Sequence, residues 1–422
     1  MDERFAALKK YNFWDGNVPA TGFPRIHYTN KIAEYIGNKL VKVLVGQRRS
    51  GKSYLLRQIA QRQIKAGADP RNVFYINKEF TDFDFLTDYK ELEKLLKLYR
   101  AELKPKGKVW LFIDEIQNID GWEHFVNSHS QDFIDDYEIF VSGSNSKMLS
   151  GELATLLSGR YISFEVFPLS FNEYIGITHK EFSKANYIDY MEDGALPELF
   201  MLPNEETKRN YVSAIKDTVL LRDIIQRHNI KDAKLLEDIF VYLVNNASCL
   251  ISITGITNYF KSNGRRVSYD TVSNYIGYIE DAFMIHKAER YDIRGKDTIS
   301  GNCKYYINDL AFKNYLYPGF GYGIGYKLEN LVYLELRRAG FKVYVGTVQN
   351  KEVDFVAWKG DRTIYLQCTY AMTEEATIRR EYAPLEAIQD NFEKIVVSLD
   401  DVAFPSNNGI RHLQAWHLEE LF

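Results

Sequence analysis

The sequence predicts an α/β protein whose N-terminal part is a parallel sheet covered by helices on both faces. Three observations carry this expectation. From Leu40 onward, short and almost wholly apolar runs alternate with amphipathic segments, the pattern of strands buried on both sides of a sheet. One run, "VKVLV", leads directly into the glycine-bearing loop "GQRRSGKS" and then into a helix-forming stretch. Another, "KVWLFI", ends on the acidic pair Asp114-Glu115.

Length and composition bound the rest. A chain of 422 residues is more than one hydrophobic core usually serves, so two or three domains are expected. Hydrophobic content of 45% with 26% charged residues is ordinary for a soluble globular protein. A net charge of −4 excludes a globally basic nucleic-acid binder and leaves only a local patch for that work. Cys249, Cys303 and Cys368 lie far apart with no C-x-x-C, which argues against a disulfide framework or zinc site and for a reducing, cytoplasmic setting. The opening "MDERFAALKKYNFWDG" carries charges where a signal peptide needs an apolar run. No stretch approaches the roughly 18 apolar residues of a membrane span, so no membrane partner is expected.

Taken in order, residues 1–37 are a lead-in with the amphipathic segment "TNKIAEYIGNKL". Residues 38–168 hold the strand and helix alternation: "LVKVLV", a helix from Lys52, "NVFYIN", a helix over "YKELEKLLKLYRAEL", "KVWLFID", a helix from Gly121, "YEIFVSGS" and a last strand "YISFEV". Over 169–235 the period is helical and strands are absent. Residues 236–310 give helix, turn, helix and two strands, a spacing that fits a winged helix and equally any three-helix unit. Residues 311–422 return to a compact mixed α/β pattern, with helix "KLENLVYLELRRAG", strands "KVYVG", "EVDFVAW" and "TIYLQCTY", a further helix and strand "KIVVSL".

The loop Gly46, Gln47, Arg48, Arg49, Ser50, Gly51, Lys52, Ser53 is a full G-x-x-x-x-G-K-S, and with Tyr54 it forms the expected nucleotide-binding stretch. Its glycines let the backbone curl so that successive N–H groups face phosphate oxygens. Lys52 adds a point charge at a helix N-terminus whose dipole also favours anions. Ser53 offers a hydroxyl to Mg²⁺. Asp114 and Glu115 end an apolar strand, at the edge where open α/β sheets bind ligands. Asp114 suits Mg²⁺ and Glu115 suits polarising an attacking water. Together the two motifs point to a nucleoside-triphosphate hydrolase.

Two further elements are less specific. "YEIFVSGSNSKML" ends in Ser142, Ser144 and Asn145, which could sense a terminal phosphate; a plain Ser/Asn turn accounts for them as well. Arg160 follows Gly159 into the last strand and could offset transition-state charge in its own or a neighbouring subunit's site, or be an ordinary surface arginine.

The segments "GQRRSGKSYLL", "FIDEIQNIDGWE", "SGSNSKMLSGELATLLSGRY", "FEVFPLSFNEY" and "DGALPE" together resemble the bacterial and archaeal AAA+-type ATPases of the AAA_14 domain with a DUF4143 C-terminal region. The resemblance runs in order from about residue 25 to the end of the chain. It implies a P-loop ASCE/AAA+-type parallel sheet with Glu115 as catalytic base, ATP as the nucleotide, and a helical lid. It also implies a Gly-x-Pro element, Gly194 to Pro197, near the nucleotide. A winged helix and a small PD-(D/E)xK nuclease-like α/β domain would follow. The catalytic roles of Asn145 as sensor and Arg160 as finger are implied by position.

Such a nuclease site needs a helix glutamate, a strand aspartate and an acid or Gln followed two residues later by Lys. Glu329, Asp354 and Gln367 match, with Thr369 where the lysine belongs. Glu352 could supplement the ligands and Lys351 could replace the lysine, but a degenerate site on an inherited fold is the expectation. Between Ile256 and Lys304 eight basic residues, Arg265 and Arg266 among them, face six acidic ones, a modest surplus for a duplex binder. DNA contact and packing against a protein partner stay open together. His124 and His129 have no third ligand at suitable spacing.

The expected function is ATP hydrolysis with Mg²⁺ to drive a conformational change in the attached winged-helix and nuclease-like domains, with a DNA or protein client and an oligomer left open. The alternatives are a nucleotide-gated DNA- or protein-binding adaptor with little turnover and an ATP-regulated nuclease.

Overall fold

A computed structural model describes residues 2–149, 157, 159–319 and 323–422. Most of the segment "SGELATLL" (residues 150–156) and Ser158 of the expected family signature lie outside the described residues. The chain divides into two units, Met1–Val166 and Phe167–Phe422.

In the first unit, strands β1 (Val41–Val45), β2 (Val73–Asn77), β3 (Val109–Asp114), β4 (Tyr137–Gly143) and β5 (Tyr161–Glu165) form a five-stranded sheet in the order β2-β3-β4-β1-β5. Every pairing is parallel. Strands β1 to β4 are buried along their whole length, as their largely apolar runs require. The helix Lys52–Lys65 lays Leu55, Leu56, Ile59 and Ala60 onto Leu44, Phe112 and Phe140 of the sheet. That apolar stripe fixes the helix so that its N-terminus opens at the C-terminal end of β1.

Two charged positions, one on each of two neighbouring strands, break the apolar rule. Lys42, mid-strand in β1, is fully buried and pairs with Glu138 of β4. Lys108 Nζ lies 3.1 Å from the other Glu138 oxygen, and the Gly37 N–H donates to it at 2.9 Å. Burial pulls the Lys42 ammonium below its ordinary pKa.

The lead-in is part of this unit's core: Phe13, Tyr28 and Ile32 are buried in the same cluster as the sheet residues. After helix Glu3–Tyr11, the Asn12 amide closes a ring with the edge strand, donating to the Tyr75 carbonyl at 2.9 Å and accepting from the Tyr75 N–H at 2.7 Å. The Trp14 indole donates to the Val73 carbonyl at 2.8 Å. These side chains cover backbone groups that an open sheet edge would leave exposed.

The second unit opens with helices Phe171–Thr178, Lys184–Asp193, Glu205–Thr218 and Ala233–Asn245 and no strand over the described residues up to Ser248. The first begins with a capping box in which Ser170 and Glu173 satisfy each other's backbone N–H. Helices Ile253–Ser262 and Tyr269–Asp281 follow, with strands β6 (Leu250–Ile251), β7 (Ile285–Asp292) and β8 (Asp297–Ile307). Next come helix Ile324–Arg338, β9 (Lys342–Val348), β10 (Lys351–Lys359), β11 (Arg362–Thr369), helix Glu375–Glu386, β12 (Glu393–Ser398) and β13 (Ile410–Gln414).

All eight strands form one sheet in the order β13-β12-β11-β10-β9-β7-β8-β6. The β7–β8 hairpin that the spacing assigned to a winged helix is thus continuous with the C-terminal strands: Arg290–Asp292 of β7 run parallel to Val345–Thr347 of β9. The Gly194–Pro197 element packs within this unit. Its Ala195 N–H donates to the buried Asp309 carboxylate at 3.0 Å, and any side chain at Gly194 would meet that carboxylate.

Candidate functional site

The sheet order brings the two sequence motifs to one edge. The loop leaves the C-terminal end of β1, Asp114 ends β3, and β4 runs between them carrying Ser142, with Ser144 and Asn145 just past its end. Gly46 has a φ of +146°, and a Cβ there would stand 2.4 Å from the Val166 carbonyl oxygen. Gly51, at φ +98°, turns the chain into the helix. Arg49 also takes a positive φ, of +67°. Lys52 is buried and folds back onto the loop, donating to the Gly46 and Gln47 carbonyls at 2.9 Å each. Ser53 is half-buried, and Tyr54 lies at the surface beneath the Arg57 guanidinium. The Ser50 hydroxyl is buried without a hydrogen-bond partner among the described residues.

Asp114 is fully buried and accepts from three neutral donors: the Asn77 amide at 2.8 Å, the Tyr75 hydroxyl at 3.2 Å and the Ser142 hydroxyl. Glu115 sits at a φ of +53°, a conformation uncommon for a residue with a side chain. Its N–H donates to Ser142 Oγ at 3.2 Å. Its carboxylate accepts from Gln117 Nε2 at 2.5 Å and from Ser144 Oγ at 3.3 Å. Burial raises the Glu115 pKa, the Lys52 charge opposes that, and the Asp114 charge adds to it. Loop cation and strand carboxylates therefore share one electrostatic field.

The remaining predicted residues of this unit are placed differently. Asn145 is buried, and its side-chain oxygen accepts from the Lys147 N–H at 2.8 Å, capping the short turn that follows Ser144. Arg160 is exposed and donates to Asn127 at 3.3 Å. Its carbonyl accepts from the Val41 N–H, at the start of β1, so it lies about 17 Å along the strand from the loop. That is beyond the reach of its side chain.

Sequence reasoning missed Gln117, Asn77 and Arg25. Asn77 is a polar residue closing an apolar strand, a signal that could have marked it. Arg25, from the lead-in, is buried and donates to the Ser50 carbonyl at 3.0 Å. Its N–H donates to Gln58 of the loop's helix, whose amide also holds the Thr21 and Phe23 carbonyls at 2.7 Å.

The second unit does assemble Glu329, Asp354 and Gln367. Asp354 is buried in β10; its N–H donates to Gln367 Oε1 at 3.3 Å, and one carboxylate oxygen accepts from the Cys368 N–H at 2.8 Å. Gln367 Nε2 donates to Glu381 at 3.1 Å. Glu329 accepts from the Tyr306 hydroxyl at 2.7 Å and from Lys304 Nζ at 2.8 Å. Lys304, from β8, carried no signal in the sequence. Burial, helped by Glu329, pushes the Asp354 carboxyl up to about 8, and burial also raises Glu329. Burial would lower Lys304, but Glu329, Asp354 and Glu352 outweigh it and hold the ammonium above its ordinary value. These groups line a cavity of about 1200 Å³ with Thr369 and Arg380.

In residues 236–310 Arg265 is engaged internally, ion-paired with Asp238, while Arg266 is exposed. Among the described residues no helix is long and apolar enough to cross a membrane.

A parallel sheet with a phosphate loop at the end of one strand and an acidic pair at the end of the next but one defines the class of P-loop ATPase domains. The family model AAA_14, described as an AAA domain, matches residues 38–175, and the chain belongs to that family. The match beyond it is to DUF8612, a domain of unknown function, over residues 184–322, in part of the region where the resemblance implies DUF4143. An uncharacterised protein of Haemophilus influenzae is 34% identical over 381 residues, covering 89% of this chain and 92% of that protein. One of Methanocaldococcus jannaschii is 33% identical over 391 residues, covering 87% and 84%. Among solved structures, the Walker-type ATPase of Pyrococcus abyssi covers 69% of this chain and 95% of its own at 15% identity. The TM-score of that likeness is 0.39.

Proposed function

We propose that the chain binds ATP with Mg²⁺ and hydrolyses its β–γ bond to drive a conformational change in the second unit. The observation that carries this reading is the convergence of Lys52 with Asp114 and Glu115 at one sheet edge, Glu115 buried and held by Gln117 and Ser144.

The donor set fits a phosphate and its metal. Gly46 and Gly51 shape a backbone cradle, and Ser50 leaves a buried hydroxyl to be satisfied at its apex. Lys52 exchanges its bonds to the Gly46 and Gln47 carbonyls for phosphate oxygens, while Arg25 braces the loop from behind. Ser53 and Asp114 would hold Mg²⁺, which when bound neutralises charge on the β- and γ-phosphates. Neutral donors orient Asp114 without cancelling its charge. Glu115 takes the proton of the attacking water, and a pKa raised by burial suits that task. Asn145, just past the end of β4, would report the terminal phosphate. Arg160, at the opposite edge, could serve only a neighbouring subunit's nucleotide, which implies an oligomer.

The helical lid (169–235), winged-helix-like (236–310) and nuclease-like (311–422) segments are proposed as the moved parts, contacting DNA or a protein client. With Arg265 committed to Asp238, a protein client is favoured over duplex DNA. The test is multiple-turnover phosphate release with and without DNA, alongside light scattering with and without nucleotide. Lys52→Ala should abolish nucleotide binding, since a charge-assisted bond worth about 1.5–3 kcal/mol is lost together with the cradle's central charge. Parental affinity in that variant would refute the site. Binding without turnover would favour the nucleotide-gated adaptor.

A further inference from the structure

The nuclease-like frame implies a divalent cation held by Glu329 and Asp354, and the residues present do not fit one. Lys304 Nζ lies 2.8 Å from Glu329 Oε1, 2.7 Å from Glu352 Oε1 and 3.7 Å from Asp354 Oδ1. Its side chain is only 4% exposed. A divalent ion would sit about 2.0–2.6 Å from the same oxygens, and so would share its space with the ammonium. Gln367, the third expected ligand, spends its carbonyl oxygen on the Asp354 N–H and its amide on Glu381. The second Asp354 oxygen is taken by the Cys368 N–H.

We propose that Lys304 takes the place of the divalent cation in this acidic cluster, so that the pocket holds its own counter-charge and carries out no metal-dependent phosphodiester cleavage. The lysine comes from β8, not from the strand where the family pattern puts one. Its role also differs: it bridges the carboxylates instead of assisting a water. Tyr306, two residues on and therefore on the same face of β8, fixes the same Glu329 oxygen at 2.7 Å. Three carboxylates facing one buried ammonium are the charge set that a divalent ion would take if the lysine were absent.

The experiment is Mn²⁺ titration of the nucleotide-free full chain by electron paramagnetic resonance, on the parent, Asp354→Asn, Lys304→Met and the double variant. In the parent, Asp354→Asn should leave Mn²⁺ binding unchanged. Lys304→Met should gain one Mn²⁺ site at least about tenfold tighter than any in the second unit of the parent (a shift of about 1.4 kcal/mol). The double variant should lose that site. A parental Mn²⁺ that Asp354→Asn removes, or Mn²⁺-dependent nicking of plasmid DNA by the parent, would overturn the proposal. So would a folded Lys304→Met that gains no site. Should Lys304→Met fail to fold, the parent comparison still decides.

Discussion

Replacing Glu115 with Gln isolates the chemical step. The substitution keeps the side chain's volume and leaves an oxygen to accept from Ser144 Oγ, now 3.3 Å away. It removes the proposed proton acceptor and exchanges the charge-assisted bond from Gln117, 2.5 Å, for a neutral one. A positioned general base contributes about 10²–10⁴ in rate, which at about 1.36 kcal/mol per factor of ten is roughly 3–5 kcal/mol of barrier. Removing a negative charge beside the proposed phosphate site relieves repulsion, so affinity should hold or improve. Single-turnover phosphate release should therefore slow by about a hundredfold or more, while a fluorescent nucleotide titration shows retained or tighter binding. A variant that turns over at the parental rate would refute the assignment of Glu115 as base. One that loses binding would show that the carboxylate shapes the cradle instead.

Three further outcomes follow from the same geometry. Gly46→Ala should cost about 1–3 kcal/mol in denaturant unfolding and lose nucleotide binding, because its Cβ would stand 2.4 Å from the Val166 carbonyl oxygen. Lys42→Met should cost toward the lower end of the roughly 3–5 kcal/mol for breaking a buried pair, since Lys108 remains 3.1 Å from Glu138; adding Glu138→Leu should recover much of it. Burial pushes Asp309 from 3.8 up to about 7, so between those values the unfolded chain is ionised there and the folded chain is not. Unfolding then releases a proton, and stability falls as pH rises from about 4 to about 7. Asp309→Asn should flatten that fall in Tm, and an unchanged pH slope would contradict it.

The site's contiguous parts were legible because their chemistry is local. A phosphate loop is eight consecutive residues, Gly46 to Ser53, and its backbone curl is dictated by its own glycines. Asp114-Glu115 announces itself by ending an apolar run. The parallel sheet was equally readable, since strands buried on both faces must be apolar throughout. Lys42 and Glu138 are exceptions, tolerated because each meets the other from a neighbouring strand.

What pairing brings together was not readable. That β4 would lie between loop and acids, putting Ser142 and Ser144 on Asp114 and Glu115, depends on strand order. So does the placing of Arg160 at the far edge. The joining of β7 to β9, which merges the expected winged-helix hairpin with the C-terminal strands into one sheet, is a long-range choice as well. Lys304 makes the point most sharply: in "NCKYYIND" it is one polar residue in a strand, and only the fold sets it among carboxylates from a helix and another strand. The sequence by itself determined which segments could cradle a phosphate, because that work is done by neighbours in the chain. The tertiary structure decided which charges neutralise which, because Coulomb energy depends on distance in space and residues remote in sequence become neighbours only once the sheets have formed.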